Sequence, residues 1–200
     1  RQTGFAMLAE TNPQEVMDLS PVAHLAALEG KVPFINFFDG FRTSHEIQKI
    51  EKWDYEDLKE MCNMDAVEEF RQHALNPEHP AMRGSHENGD VFFQHREACN
   101  PVYDALPAVV EKYMGKVNEK LGTDYDLFNY YGAEDADRVI IAMGSICDVA
   151  EEVIDYLTAK GEKVGLIKVR LYRPWSSEHI LKVIPKTAKK IAVLDRTKEP

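Results

Sequence analysis

The sequence lacks the patterns of a membrane-spanning or secreted protein. No apolar run approaches the roughly 18 residues that a bilayer-spanning helix needs, and the first residues show no basic stretch followed by an apolar one. The three cysteines, Cys62, Cys99 and Cys147, lie far apart and form no C-x-x-C pair. Such spacing favours reduced thiols. We therefore expect a cytoplasmic protein with no membrane partner.

The common self-contained catalytic motifs are also missing. The sequence contains no P-loop, no H-E-x-x-H and no Ser/His/Asp set with a nucleophile elbow. Gly144-Ser145 separates a predicted strand from a predicted helix, but the other two glycines of a dinucleotide-binding G-x-G-x-x-G are absent. Ser145 and Asp148 instead have the spacing of a helix capping box, which is the interpretation we prefer.

Four histidines fall within one loop-rich span, where a metal site could be imagined. Their spacing matches neither one face of a helix nor a zinc knuckle, and no cysteine joins them. We therefore predict no metal site from these residues: His73, His79, His86 and His95.

Charge is distributed unevenly along the chain. The formal net charge is −10, yet residues 163–200 carry ten basic and three acidic side chains. An acidic body repels nucleic acid, so we expect no nucleic-acid partner. Four basic residues lie at or just after the ends of predicted strands and should form a cationic rim at the carboxyl edge of one sheet: Arg170, Arg173, Arg196 and Lys198. Such a rim could hold an anionic ligand or face a neighbouring protein surface.

Residues 1–50 are predicted to alternate strand, helix, strand and helix. Asn12, Pro13 and Glu15 form a helix start with a capping box, and Gly30 is a stop. Pro21 lies inside the helical pattern, so we expect a kink or a restart at Ser20. The apolar run from residue 32 to 38 has strand length and predicts a strand covered on both faces, as in a parallel sheet.

The remainder divides into an irregular part and a regular part. Residues 51–131 contain several prolines and glycines, with short helices predicted at 55–75 and 101–121, and we interpret them as a connector with little core of its own. Residues 132–200 return to regular alternation, with strands predicted at 138–143, 163–171 and 190–194 and helices at 146–160 and 177–184. This order predicts the βαβαβ unit of a parallel sheet.

The loop at residues 39–46 supplies the candidate functional residues. It leaves the carboxyl end of a predicted parallel strand, which is the edge where α/β sheets bind ligands. Arg42 could pair with a carboxylate or phosphate, and His45 could transfer a proton. A structural role is the alternative, because Thr43 and Glu46 also have the spacing of a capping box.

Six segments, in order along the whole chain, resemble pyruvate:ferredoxin (flavodoxin) oxidoreductase. They are Arg1–Leu8, Gln14–Asp18, Phe37–Glu51, Asn76–Pro80, Lys168–Pro174 and Leu194–Pro200. The resemblance covers only a small part of that family's long polypeptide. We therefore expect the chain to be an internal fragment, with the remainder of the same polypeptide as its first partner.

The resemblance implies a fold and an activity. Residues 1–50 would be the end of a thiamine-diphosphate pyrimidine-binding domain, 51–131 the connector, and 132–200 the first half of a transketolase-C-terminal-like domain. The family oxidatively decarboxylates pyruvate to acetyl-CoA and passes the electrons to ferredoxin or flavodoxin, usually as a homodimer. Its cofactors are thiamine diphosphate, Mg²⁺ and [4Fe–4S] clusters, with CoA as the acyl acceptor.

The resemblance also implies what this segment lacks. The family's pyruvate- and aminopyrimidine-contacting residues lie upstream of Arg1, and its cluster cysteines and diphosphate motif lie downstream. Three scattered cysteines cannot hold a four-cysteine cluster. We therefore assign no cofactor or metal ligand to this segment and expect it to scaffold the site without activity of its own. The alternatives are a non-catalytic anion- or CoA-binding or interdomain module, and an oxidoreductase for another 2-oxoacid.

Overall fold

The computed structural model describes residues 3–82, 84 and 86–195, which form a mixed α/β structure with two sheets. Its strands are β1 (Ala6–Ala9), β2 (Phe34–Phe37), β3 (Phe128–Gly132), β4 (Arg138–Ala142), β5 (Val164–Val169), β6 (Leu171–Arg173) and β7 (Lys190–Val193). Its helices are α1 (Pro13–Gly30), α2 (Arg42–His45), α3 (Tyr55–Met61), α4 (Met64–Gln72), α5 (Gly89–Ala98), α6 (Asn100–Leu121), α7 (Ile146–Thr158) and α8 (Ser177–Val183).

The smaller sheet joins distant parts of the chain. Its order is β2-β1-β6, with β1 parallel to β2 and antiparallel to β6. The single strand predicted at 163–171 is therefore wrong in one respect. The chain leaves β5 of the larger sheet at Arg170 and enters the smaller sheet as β6. Residues 171–173 join the smaller sheet because they form hydrogen bonds with β1. The sequence around these residues does not indicate such a distant partner.

The larger sheet has the order β3-β5-β4-β7. Strands β4, β5 and β7 are parallel, as the alternating pattern predicted, whereas β3 pairs antiparallel with β5. Strand β3 was not expected, because all of it except Gly132 lies within the predicted connector. Its tyrosines and asparagine are half-buried, so it lacks the continuous apolar run of a covered strand.

Helix α1 begins as predicted but continues through its proline. The Asn12 side chain accepts from the backbone N–H of Glu15 at 3.0 Å. Pro21 cannot donate to the carbonyl of Met17, and the indole N–H of Trp53 donates to that carbonyl instead, at 3.1 Å. The predicted restart at Ser20 is therefore wrong, because a long-range donor satisfies the freed carbonyl and the helix runs on to Gly30.

The connector has more core than expected. Helix α6 spans 22 residues and packs on α1, and its inward face is completely buried at Leu106, Val110, Met114 and Val117. The helices predicted at 55–75 and 101–121 are present, the first divided into α3 and α4. The expectation of little core is thus wrong for α6. Its apolar residues recur at helical spacing and form one buried face, although Pro107 lies inside the helix.

Strand β2 differs from its prediction in length and covering. It spans four residues rather than seven, and all four are half-buried. In the described part of the chain it lies at the end of its sheet, next to β1 on one side. The expected covering on both faces is therefore incomplete. Within the described residues, no helix is both long and apolar enough to cross a bilayer.

Candidate functional site

A cavity of about 590 Å³ lies where strands of both sheets end. The carboxyl ends of β1, β2, β4 and β7 surround it. Its walls are mainly apolar, and its polar groups include Glu10, Asp39, Arg42, Ser145 and Asp195. An apolar cavity with a few convergent polar groups at this edge has the form of a ligand site.

Asp39 links the two sheets at this cavity. Its carboxylate accepts from the backbone N–H of Ser145 and from the Ser145 hydroxyl, both at 2.6 Å. The predicted Ser145–Asp148 capping box is therefore wrong. Ser145 caps no backbone group of α7, and Asp148 accepts from the side chain of Asn12 at 3.4 Å. The acid that binds the start of α7 is therefore Asp39, which follows strand β2 of the smaller sheet.

Gly144 fits closely beside Asp39. Its φ of +80° lies in the left-handed region, which glycine adopts without a steric penalty. A Cβ at this position would come within 2.7 Å of the Asp39 Oδ1 atom. The glycine therefore serves the contact between the sheets.

Arg42 and His45 lie on the short helix α2 but differ in their surroundings. Arg42 lines the cavity with about half of its side chain exposed, and its Nη2 is 4.0 Å from Glu46. His45 is exposed outside the described lining, stacks on Phe41 and has Nδ1 2.8 Å from the Ser44 hydroxyl. Of the two candidates, Arg42 is the one in position to meet a ligand in this cavity.

The Thr43–Glu46 capping box is wrong as well. Helix α2 begins two residues earlier than this box requires, at Arg42 after Phe41, and no side chain caps it. Thr43 is buried within the helix, and its hydroxyl donates to the carbonyl of Thr11 at 3.4 Å. Because Thr43 lies inside the helix, it cannot cap the helix start. Its hydrogen bond instead holds the loop against the residues before α1.

Arg170 is not part of a cationic rim. Its side chain is 4% exposed, and Nη2 lies 2.6 Å from Glu15 Oε1. Its other terminal nitrogen donates to Asn129, and the guanidinium lies over the ring of Tyr125 at 5.0 Å. Glu15 also accepts from the backbone N–H of Thr11. In the predicted capping box it would accept from the N–H of Asn12, so the acceptor contact lies one residue earlier than predicted.

Arg173, the other described residue of the predicted rim, also lies away from the cavity. Arg173 ends β6, which runs antiparallel to β1 and pairs there with Met7. Arg173 therefore lies towards the amino end of β1, away from the cavity. Arg196 and Lys198 lie outside the described residues. Antiparallel pairing of β6 with β1 is the physical reason that Arg173 does not reach the cavity.

A second acid network supports the same junction. Asp18 is buried and accepts from the Tyr125 hydroxyl and from Gln14, each at 2.8 Å. Burial raises the pKa of Asp18, and these two hydrogen bonds oppose that shift. The chain thus connects α1 to the segment before β3 through side chains that are 107 positions apart.

Glu10 is the cavity residue that the motif search missed. It follows β1 directly and is 0% exposed. Burial, with the nearby charge of Glu15, raises the pKa of Glu10 to about 8, and the Asn36 side chain opposes the shift. The available signal was an acid placed immediately after an apolar strand, at the edge where ligands bind.

The histidines do not form a metal site in the part of the chain that the structure describes. No group of three or more His, Cys, Asp or Glu side chains there could hold a metal ion. His95 instead lies 2.6 Å from Glu87.

Known proteins resemble this chain over its whole length. It is 62% identical to the pyruvate-flavodoxin oxidoreductase of Enterobacter agglomerans and 60% identical to the pyruvate:ferredoxin oxidoreductase of Moorella thermoacetica, in each case over all 200 residues. The chain spans 17% of the length of these curated relatives.

One solved structure shares the fold, and two family models match the sequence. A 2-oxoglutarate:ferredoxin oxidoreductase from Magnetococcus marinus, solved with 2-oxoglutarate, coenzyme A and succinyl-CoA bound, shares the fold at 20% identity, with a TM-score of 0.54. The match covers 94% of this chain and 34% of that one. Residues 136–199 match core domain II of pyruvate:ferredoxin oxidoreductase. Residues 1–115 match the thiamine-diphosphate-binding domain of pyruvate flavodoxin/ferredoxin oxidoreductase, and the chain belongs to this family.

Proposed function

We propose that the chain is a segment of an enzyme that oxidatively decarboxylates pyruvate to acetyl-CoA and passes the electrons to ferredoxin or flavodoxin. The observation that carries this proposal is the 60–62% identity over all 200 residues to pyruvate-flavodoxin and pyruvate:ferredoxin oxidoreductases. A homodimer in the cytoplasm and the domain limits of 1–50, 51–131 and 132–200 belong to the same proposal.

Within that enzyme, the segment would act as the junction between two domains. Asp39 binds Ser145 across the cavity, and the buried Glu15–Arg170 pair joins α1 to the connection between β5 and β6. A junction of this kind holds the cavity walls at fixed separation, and a shift of about 1 Å in a catalytic site can cost 100-fold in rate. The proposed role is therefore to position groups that other parts of the enzyme supply.

The described residues do not fit a complete cofactor site. They include no group of metal-ligating side chains for the Mg²⁺ that would accompany thiamine diphosphate. A [4Fe–4S] cluster takes four thiolates, whereas the chain has three separated cysteines, and burial raises the pKa of the Cys147 thiol to about 12. We therefore propose that thiamine diphosphate, Mg²⁺, clusters and CoA are held mainly by other parts of the enzyme.

The activity is tested on the full-length protein. Pyruvate should reduce a low-potential one-electron dye only when CoA is present, with acetyl-CoA formed in parallel. The 200-residue segment under the same conditions should give no turnover, because its cofactor-binding groups are incomplete. Full-length protein that prefers 2-oxoglutarate would favour the alternative of another 2-oxoacid, and a segment that turns over pyruvate would refute the scaffold role.

Arg42→Ala in the full-length enzyme tests whether the cavity belongs to the catalytic mouth. A charge-assisted contact to an anion contributes about 1.5–3 kcal/mol, so we expect kcat/KM for pyruvate to fall roughly 10- to 100-fold. The melting temperature should stay unchanged, because the exposed pair with Glu46 contributes little.

Arg96→Ala, which changes an exposed arginine on α5, is the matched control for loss of positive charge. His45→Ala in the same assay tests the proposed proton transfer by this histidine. An Arg42 variant that loses activity and melting temperature together would leave this residue a structural role.

The alternative of a non-catalytic module that binds CoA or another anion has its own test. Calorimetry with CoA and with thiamine diphosphate on the full-length Arg42→Ala variant would show whether affinity changes while turnover does not. Changed affinity with unchanged turnover would favour a binding module. The structure argues against such a module, because Arg170 and Arg173 do not lie together at the predicted rim.

A further inference from the structure

Glu10 has an unusual environment for a carboxyl group. It is fully buried at the cavity, and neither carboxylate oxygen has a hydrogen-bond partner among the described residues. Leaving a buried ionised group without donors is costly, whereas a neutral acid in the same place is tolerated much better. The position therefore favours the protonated form of the side chain.

The hydrogen bonds next to Glu10 fix the orientation of the Asn36 side-chain amide. The Ser20 hydroxyl donates to the carbonyl of Val16 at 2.5 Å, and the Asn36 amide nitrogen donates to the Ser20 oxygen at 2.9 Å. Since the serine has already used its proton, Asn36 must direct its nitrogen to Ser20. The Asn36 amide oxygen is consequently buried without a donor.

Glu10 and Asn36 are neighbours on the smaller sheet. Asn36 pairs with Leu8, two residues before Glu10, and the Glu10 backbone N–H donates to the carbonyl of Phe37 at 3.0 Å. The Asn36 side chain lies close to Glu10, and as a hydrogen-bond donor to the ionised acid it lowers the pKa of Glu10. Its nitrogen, however, already donates to Ser20, so its oxygen is the atom left for Glu10. A charged carboxylate cannot donate to the free amide oxygen, but a carboxylic acid can.

We propose that Glu10 is a proton-binding site, in which a neutral carboxylic acid donates to the amide oxygen of Asn36 and completes a chain through Ser20 to Val16. The proton satisfies the free Asn36 oxygen and removes a charge from the cavity floor. This inference concerns the protonation of one side chain and does not depend on the reaction proposed above.

The surrounding charges agree with this assignment. Glu15, on α1, adds a negative charge that disfavours ionisation of Glu10, although Arg170 pairs with Glu15. At the cavity, the charged side chains that line the same space are Asp39, Arg42 and Asp195. Burial is the largest cause that raises the pKa of Glu10, to about 8.

Protonation also controls the charge that a ligand would meet. With Glu10 neutral, Arg42 shares the cavity lining with two carboxylates, those of Asp39 and Asp195. Loss of the proton adds a third carboxylate charge to the lining and weakens binding of an anion at Arg42. The cavity should therefore bind anions less well above about pH 8.

Glu10→Gln in the full-length protein tests the proton site by thermal unfolding. Glutamine is neutral and its amide can donate to Asn36, so this variant imitates the protonated acid at every pH. The raised pKa means that folded wild-type protein holds a proton that the unfolded chain releases above about 4.5. Wild-type stability should therefore fall, relative to the variant, as pH rises from about 4.5 to 8 and level off above.

Ser20→Ala tests the direction of the hydrogen-bond chain. Without Ser20, the Asn36 amide is free to turn and donate to ionised Glu10, so the midpoint of the stability difference should move to lower pH. Glu46→Gln removes one exposed carboxylate near the same cavity and is the matched control. The proposal would be overturned if the melting temperatures of wild type and Glu10→Gln differed by a constant amount from about pH 5 to 9. An unmoved midpoint in the Ser20 variant would overturn it as well.

Discussion

Replacing Arg170 by leucine should destabilise the junction between the sheets by about 3–5 kcal/mol, which is typical for removal of one partner from a buried ion pair. The change leaves Glu15 buried without its cation, because Arg170 Nη2 lies 2.6 Å from that carboxylate and both side chains are less than 10% exposed. It also removes the hydrogen bond to Asn129 and the contact with the Tyr125 ring. The measurement is the melting temperature of the full-length enzyme.

Two further variants test whether the loss comes from the unpaired buried charge. Arg173→Leu makes the same substitution at an exposed arginine three residues away and should have little effect. The double variant Glu15→Gln with Arg170→Met removes both charges and should recover part of the loss, because no unpaired buried charge remains. Equal melting temperatures for the Arg170 and Arg173 single variants would contradict the importance of the ion pair.

Local signals predicted the regular parts of the chain well. Asn12 and Pro13 marked the start of α1, and the alternation of apolar strands and helices after residue 138 matched β4, α7, β5, α8 and β7. These elements are predictable because their capping residues and apolar spacing lie within a few positions of one another.

Pairing between distant segments accounts for most of the errors. Nothing within the sequence near residue 171 indicates that β6 leaves one sheet for the other, since β1, its partner there, is more than 160 positions away. Arg170 lies at the end of a predicted strand and was expected at a rim, but it is buried against Glu15, 155 positions earlier. Burial of a charge depends on a partner, and single-sequence patterns do not identify partners at this range.

The candidate site was predicted in part. The strand-end position of Arg42 correctly indicated the edge at which the cavity lies. The same reasoning overlooked Glu10 and did not single out Asp39, because carboxylates after strands are common and their hydrogen-bond partners decide their role. Three capping boxes were predicted from spacing, and the two at the cavity failed because Thr43 and Ser145 bond to other segments.

Gly132→Ala is expected to cost about 3 kcal/mol or more, since it combines backbone strain with a steric collision. Gly132 has a φ of +125° at the end of β3, a conformation that side chains rarely adopt. A Cβ there would lie 2.6 Å from the carbonyl oxygen of Val164 and 2.8 Å from the Cα of Gly165. Because both atoms belong to the backbone of the β5 region, relief requires the antiparallel pair to separate.

Gly122→Ala provides the control for strain alone. Gly122 also has a positive φ, +71°, at the end of α6, but a Cβ there would meet no atom within 4 Å. That variant should lose only about 1–2 kcal/mol, so the melting temperature of the full-length protein should fall much further for Gly132→Ala. Equal losses would mean that β3 moves away from β5 at little cost. The close approach of these two strands would then contribute little to the stability of the sheet.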